Sequence, residues 1–161
     1  MNFKITGLLL MISGVTAMAQ DNDATSLQQA VESKNFIFKA ESVTPQRGST
    51  RHLSPEYEIV VKTDTIISFL PYFGRSYSAP IDPSEGGIKF TSSDFDYIMG
   101  KKKKKGWEIT VKLKDVSDVQ NLYFSIFENG NASVRVVSNQ RESISFNGSV
   151  QEGKPIDKKA F

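Results

Sequence analysis

Hydrophobic and polar side chains alternate with a period of two along most of the chain after residue 35. In residues 106–114, for example, every second side chain is apolar and those between are polar. About eight or nine such runs follow one another at short spacing, and Asn129-Gly130 between two of them is a hairpin signal. Such alternation is typical of antiparallel strands with one face in water. The pattern predicts a mainly β domain, either an antiparallel sandwich or a small, partly closed barrel.

One segment ahead of the strands has helical spacing instead. Leu27, Ala30 and Val31 stand at positions i, i+3 and i+4, and Thr25 or Ser26 can cap the start. We therefore expect one short helix within a stub at residues 20–34. The β-domain is predicted at residues 35–150, and a polar tail at residues 151–161.

The first twenty residues have the pattern of a secretory signal peptide. Lys4 supplies the positive start, an uncharged stretch follows to Gln20, and Ala17-Met18-Ala19 fits the small-x-small cleavage motif. The uncharged run is shorter than the about 20 residues that span a bilayer. We expect residues 1–19 to be removed after Ala19, no transmembrane segment, and a product exported to the periplasm or outside the cell.

Composition excludes several chemistries. The chain has 161 residues, no cysteine, one histidine, 20 basic and 18 acidic side chains, and a net charge of +2. Without cysteine there is no disulfide, thiolate zinc site, iron–sulfur cluster or lipidated cysteine. A single histidine cannot supply two imidazole ligands. We predict no cofactor and no metal.

A lysine run follows Gly100 at a predicted hairpin tip: Lys101, Lys102, Lys103, Lys104 and Lys105. Each lysine near an anionic membrane surface contributes about 1 kcal/mol, so the run is a candidate anion-binding or surface-binding segment. It contains no aromatic side chain of the kind that stacks on bases, so no nucleic acid is expected as a partner. The alternative is a solvated turn whose charges discourage edge aggregation.

Residues 70–80, LPYFGRSYSAP, break the alternation with two prolines, one glycine, three aromatic residues and one arginine. Proline ends or bulges a strand, and an arginine beside rings can stack on them while its guanidinium binds a carboxylate or phosphate. Tyr72, Phe73, Arg75 and Tyr77 are therefore candidate ligand-binding residues, with Arg75 as the anion anchor. The alternative is a structural corner that closes one end of the sheet.

The chain resembles an uncharacterised family of secreted bacterial domains that carry an LPYFGR-x-Y-x-A-P segment. The segments that carry the resemblance are residues 36–40, 70–80, 87–90, 106–107, 129–132 and 141–148. The family has no established activity, so the resemblance implies a cell-envelope or extracellular setting and no site residues.

These features favour a non-enzymatic envelope protein that binds a small or extended ligand. The alternative is a structural or protein-interaction module that pairs through a sheet edge. A hydrolase that uses His52 with a serine and a carboxylate is the least favoured, because no GxSxG motif is present and no catalytic residue stands out. The partner, a small molecule or an envelope protein, is not identified by the sequence. An open cavity of about 300–1,000 Å³ favours ligand binding, and a filled interior favours the interaction module.

Overall fold

A computed structural model of the chain describes residues 20–77, 86–100 and 106–153, with side chains from Thr25 onward. The predicted signal peptide, the lysine run at residues 101–105 and most of the predicted tail lie outside the described residues. The elements are one helix and ten strands of the described chain: α1 (Gln20–Glu32), β1 (Phe36–Pro45), β2 (Arg51–His52), β3 (Glu58–Val61), β4 (Ile66–Pro71), β5 (Gly87–Ser92), β6 (Phe95–Met99), β7 (Gly106–Leu113), β8 (Val119–Phe127), β9 (Asn131–Ser138) and β10 (Ile144–Glu152).

The strands form one antiparallel sheet in the order β5-β4-β3-β1-β10-β9-β8-β7-β6, and the two-residue β2 pairs with β1 alone. The sheet curls into a nearly closed barrel of nine strands. The predicted mainly β class is confirmed, and of the two architectures the barrel is the one found.

The two outer strands of this sheet are halves of a single bent strand. Eight successive antiparallel pairings make β5 and β6 parallel to each other, and only Ser93 and Asp94 separate them in the chain. The first half pairs with β4 and the second half pairs with β7, so the bend carries the chain from one side of the sheet to the other.

Alternation places one face of every long strand in the core, which is filled by large side chains. Phe36 and Phe38 on β1, Phe124 on β8 and Phe146 on β10 are each at most 1% exposed. The Phe124 ring meets Phe36 edge to face, with centroids 5.8 Å apart, and meets Phe38 at 6.3 Å. Edge-to-face contacts of this kind are favourable for aromatic pairs, so the barrel interior is a packed core.

The predicted short helix is confirmed, but it begins at Gln20, so Thr25 and Ser26 lie within it and do not cap its start. It contacts β10 and the Tyr97 side chain of β6. Leu27, Ala30 and Val31 are all buried in the core, as their spacing indicates. The Tyr97 hydroxyl on β6 donates to the Val31 carbonyl at 2.9 Å, and the Lys34 ammonium lies 5.3 Å from the centre of the Tyr97 ring. Helix α1 is therefore linked to β6 by the Tyr97 hydroxyl and to the core by its three apolar side chains.

The last strand extends two residues beyond the predicted end of the β-domain. The Gly153 amide donates to the Asn35 carbonyl at 3.0 Å, and the Asn35 side-chain amide donates to the Gly153 carbonyl at 3.3 Å. These bonds continue the pairing of β10 with the start of β1, which the polar sequence of residues 151–153 does not reveal. Among the described residues, no helix has the length and hydrophobicity required to cross a membrane.

Candidate functional site

The predicted corner directly follows β4 and is fastened to the β9–β10 connection. The Tyr72 hydroxyl lies 2.7 Å from the Arg75 carbonyl and 3.0 Å from the Glu142 carbonyl, both of which can accept its proton. Main-chain bonds continue the contact: the Tyr77 amide donates to the Gln140 carbonyl at 2.8 Å, and the Glu142 amide donates to the Arg75 carbonyl at 3.0 Å. Burial raises the pKa of Tyr72, and the Glu142 carboxylate raises it further. Tyr72 therefore holds two chain segments together.

The arginine that stacks on this tyrosine is Arg141. Its guanidinium carbon lies 5.2 Å from the Tyr72 ring centre, while the guanidinium of Arg51 lies 5.0 Å from the ring of Phe73. The predicted anchor Arg75 has an exposed side chain. Phe73 and Tyr77 are exposed too, at 42% and 73%. The structure thus brings Tyr72 together with an arginine distant in sequence, and leaves the other three predicted residues at the surface.

Arg141 also joins the corner to the start of β5. One guanidinium nitrogen donates to the Gly87 carbonyl at 2.9 Å, and the other lies 3.1 Å from a carboxylate oxygen of Asp118. Asp118 in turn accepts the Ser138 hydroxyl at 2.6 Å. The Arg141 side chain is only 14% exposed, so both of its charge-assisted contacts are shielded from water.

A cleft of about 530 Å³ opens beside these contacts, between β5 and residues 115–119 of the β7–β8 connection. Its apolar lining comes from Ile88, Phe90, Val116 and Val119, and its polar lining includes Lys89, Thr91, Asp115 and Arg141. The volume lies in the range of ligand pockets. The cleft runs along β5 and reaches the core residues Ile88 and Val119.

Asp115 closes the end of the cleft opposite Arg141. One of its carboxylate oxygens accepts the Ser93 amide at 2.7 Å and the Asp94 amide at 3.1 Å, and the other accepts the Ser92 hydroxyl. These bonds, the one from Ser92 first, lower the pKa of Asp115 to about 2. The carboxylate thus fixes the bend between β5 and β6. It does so through main-chain amides that lie more than twenty residues away in the sequence.

The edge of β5 that lines the cleft has main-chain hydrogen-bonding groups that no described residue uses. The Ile88 carbonyl points toward β4, where it accepts the Ser68 hydroxyl at 2.9 Å, whereas the Gly87 carbonyl points away from β4 to Arg141. Because antiparallel strands alternate these directions, Lys89 and Thr91 also direct their N–H and C=O groups to the cleft. No other described residue bonds to them there. These groups, on Lys89 and Thr91, span about 7 Å at the usual rise per residue, and we call this part of β5 the free edge.

The remaining predicted residues do not join this site. His52 is exposed on β2, opposite Ser42 in register. The candidate surface-binding lysines, at positions 101–105, lie outside the described residues. Within the described part of the chain, no group of three or more histidine, aspartate or glutamate side chains is arranged to hold a metal ion.

Sequence reasoning missed the β5 edge and Arg141. Residues 87–92 have the same alternation as the paired strands, so nothing in the pattern marks the edge as free. Arg141 lies in a polar segment between two strands, without neighbouring aromatic residues. Lys89 stands between Ile88 and Phe90 as polar residues do in the paired strands, so it gives no separate signal.

Comparison with known proteins identifies a family without an assigned activity. Residues 18–150 match the sequence model of a domain of unknown function, DUF4251. No curated protein matches the chain. A crystal structure of a DUF4251 family protein from Bacteroides eggerthii has a similar fold, with a TM-score of 0.58 and 15% identity over 83% of this chain and 91% of that chain. The match confirms the expected resemblance to a family of unknown function, and the LPYFGR segment as its marker stays a prediction.

Proposed function

Because the chain belongs to the DUF4251 family, a domain of unknown function, we propose a function from the cleft itself. The protein is an exported, non-enzymatic binding module that holds an extended peptide segment in the cleft. The segment adds to the barrel as a further strand beside β5.

The free β5 edge inside a closed-ended cleft is the observation that carries this proposal. Lys89 and Thr91 offer two amide donors and two carbonyl acceptors, and an extended peptide supplies the matching groups at the same spacing. Main-chain bonds of this kind provide affinity in strand-addition complexes, while side-chain pockets provide selectivity. A compact small molecule does not match two donor and acceptor pairs on alternate residues as an extended strand does.

The two ends of the cleft limit the length of the peptide that can pair with β5. At one end, the Gly87 carbonyl already accepts a hydrogen bond from Arg141. At the other end, Asp115 bonds to the Ser92 hydroxyl at the start of the bend. Between them, the groups of Lys89 and Thr91 remain, which suit a segment of about four or five residues. The exposed Tyr77 lies beyond the Arg141 end, next to the Ser76–Arg141 bridge, where a longer peptide would contact it.

Export is the second part of the proposal. Its support is the charge, length and small-x-small pattern of residues 1–19. Mass spectrometry of the protein from the envelope fraction of its cells should give a chain that begins at Gln20. Recovery of the chain with residues 1–19 intact from the cytosol would contradict export and leave the binding proposal unaffected.

Strand addition is tested by removing one edge donor without changing the sheet. Thr91→Pro removes an N–H that points to the cleft, and proline is tolerated on strand edges because no ladder bond is lost. Thr91→Ala removes the same side chain but keeps the N–H, so it is the matched control. The probe is a library of random seven-residue peptides displayed on phage and selected on the purified protein.

Selected peptides should bind the wild type and Thr91→Ala equally, and bind Thr91→Pro at least tenfold more weakly. They should also slow hydrogen exchange at the amides of Lys89 and Thr91, a readout that does not depend on any variant folding. Absence of enriched peptides, or peptides that bind without protecting these two amides, would overturn the proposal.

A further inference from the structure

We infer that the cleft selects extended segments in which an acidic residue stands between two apolar residues. This inference rests on the proposed strand addition and specifies the class of peptide. It follows from the side-chain directions that β5 imposes on a strand placed beside it.

The residue opposite Lys89 must have its side chain on the outer face of the barrel. Lys89 pairs with Phe69 of β4, and both side chains are exposed, with the ammonium 5.1 Å from the centre of the Phe69 ring. Directly opposed residues in neighbouring strands place their side chains on the same face, about 5.5 Å apart when hydrogen-bonded. No carboxylate of the described residues pairs with Lys89. A glutamate or aspartate in the added strand supplies one.

The flanking residues of the added strand point the other way, into the cleft. They stand opposite Ile88 and Phe90, whose side chains face the barrel interior, and Val116 and Val119 line the cleft opposite them. Ile88 is 3% exposed and Val119 is 2% exposed, so the wall of the cleft at these two residues is apolar. Apolar side chains at these two positions bury surface, whereas polar ones lose their water without a partner.

The positive charge of Lys89 argues against a second copy of this chain as the occupant of the cleft. Antiparallel pairing of two β5 edges about Lys89 places two ammonium groups directly opposite each other, which is destabilising. Lysine in the middle of an exposed edge is a common means of preventing such self-pairing. Of the other charges of the cleft, Asp118 pairs with Arg141, and Asp115 keeps its negative charge at the bend, where it accepts main-chain bonds. Lys89 is therefore the charge at the centre of the edge that an incoming strand meets.

The test uses capped seven-residue peptides with valine, a variable residue and valine at the three central positions, between polar threonine and serine residues. Binding is measured by fluorescence anisotropy at low ionic strength, where surface charges are least screened. With glutamate at the variable position, we expect binding about three- to fivefold tighter than with glutamine, and about tenfold tighter than with lysine. Replacing either valine by serine should weaken binding at least tenfold.

Reversing the charge of Lys89 in the protein gives the decisive test of the acidic preference. With Lys89→Glu, the order of the three peptides should invert, so that the lysine peptide binds most tightly. Arg135→Glu makes the same change in net charge at an exposed position on β9, five strands from β5 in the sheet, and should leave the order unchanged.

The possible outcomes distinguish a failure of strand addition from a failure of the acidic preference. If all three peptides protect the Lys89 and Thr91 amides from exchange and bind equally, strand addition stands and the acidic preference is wrong. If the order inverts in Arg135→Glu as well, the preference reflects net charge and the assignment to Lys89 is wrong. If none of the peptides protects these amides, strand addition itself fails for the sequences that the geometry favours.

Discussion

Replacing Tyr97 by phenylalanine tests whether the N-terminal helix is an integral part of the barrel. The change removes one oxygen and keeps the ring, which packs against the core on β6. The lost interaction is the bond from the Tyr97 hydroxyl to the Val31 carbonyl at 2.9 Å. That carbonyl keeps a longer contact to the Lys34 amide, at 3.3 Å, so it is not left without a donor.

From this geometry we expect Tyr97→Phe to lower the free energy of unfolding by about 1 kcal/mol, the net value of one intramolecular hydrogen bond. For a domain of this size, that corresponds to a fall in Tm of about 4 °C. Urea unfolding should show a lower midpoint with an unchanged slope, because the surface exposed on unfolding is the same. The matched control is Tyr123→Phe on the outer face of β8, where the ring is 37% exposed and the hydroxyl bonds to no described residue.

The pH dependence of the same variant gives a second measure. Burial raises the pKa of Tyr97 above its ordinary value of about 10. The neutral hydroxyl therefore contributes its full stability below pH 10, and this contribution declines as the pH rises above 10 because the unfolded chain ionises first. The stability difference between wild type and Tyr97→Phe should shrink above pH 10. Equal losses in Tyr97→Phe and Tyr123→Phe at neutral pH would refute the reasoning.

Two further substitutions test the local geometry of the helix end and of the bend. Lys34 has a left-handed backbone with φ of 57°, a conformation that glycine adopts without strain. Lys34→Gly should therefore raise the free energy of unfolding by about 0.5–1 kcal/mol in urea titration, whereas Lys34→Ala should not. Equal effects of the two substitutions would contradict backbone strain at Lys34. The low pKa of Asp115, about 2, means that its contribution is full above about pH 4 and is lost as the pH falls toward 2. Asp115→Asn should therefore show a flatter fall of Tm between pH 4 and pH 2 than the wild type. Parallel Tm curves would show that the Asp115 carboxylate does not stabilise the bend between β5 and β6.

The strands and the helix could be predicted from the sequence because the backbone fixes their side-chain periods. Residues 106–114 alternate strictly, and β7 places Trp107, Ile109 and Val111 in the core with Glu108 outside. The choice between sandwich and barrel could not be predicted, because it depends on which strands become neighbours. Alternation carries no information about a neighbour, and the pairing of β1 with β10 joins opposite ends of the chain.

The candidate site was predictable only in part, for a related reason. The composition of residues 70–80 correctly marks a break in the sheet, and Tyr72 takes a position that depends on its aromatic ring and its hydroxyl. Its partner Arg141 comes from another connection, and only the folded chain brings the two together. The edge of β5 is free because no described strand pairs with β5 on that side. The alternation of apolar and polar residues within β5 does not show which strands pair with it.

The cleft follows from the topology of the barrel. With nine strands in the sheet, the two outer strands are parallel, and here they are consecutive halves of one bent strand, so they cannot pair with each other along their length. Each half therefore has one side without a strand neighbour in the described sheet. On the side of β6, the Tyr97 side chain bonds to the Val31 carbonyl of α1. On the side of β5, Arg141 and Asp115 hold the two ends in place, and no described residue pairs with the main-chain groups of Lys89 and Thr91 between them. One added strand satisfies those groups, and the single charge at its centre, Lys89, is what makes an acidic segment a better partner than a second copy of the same edge.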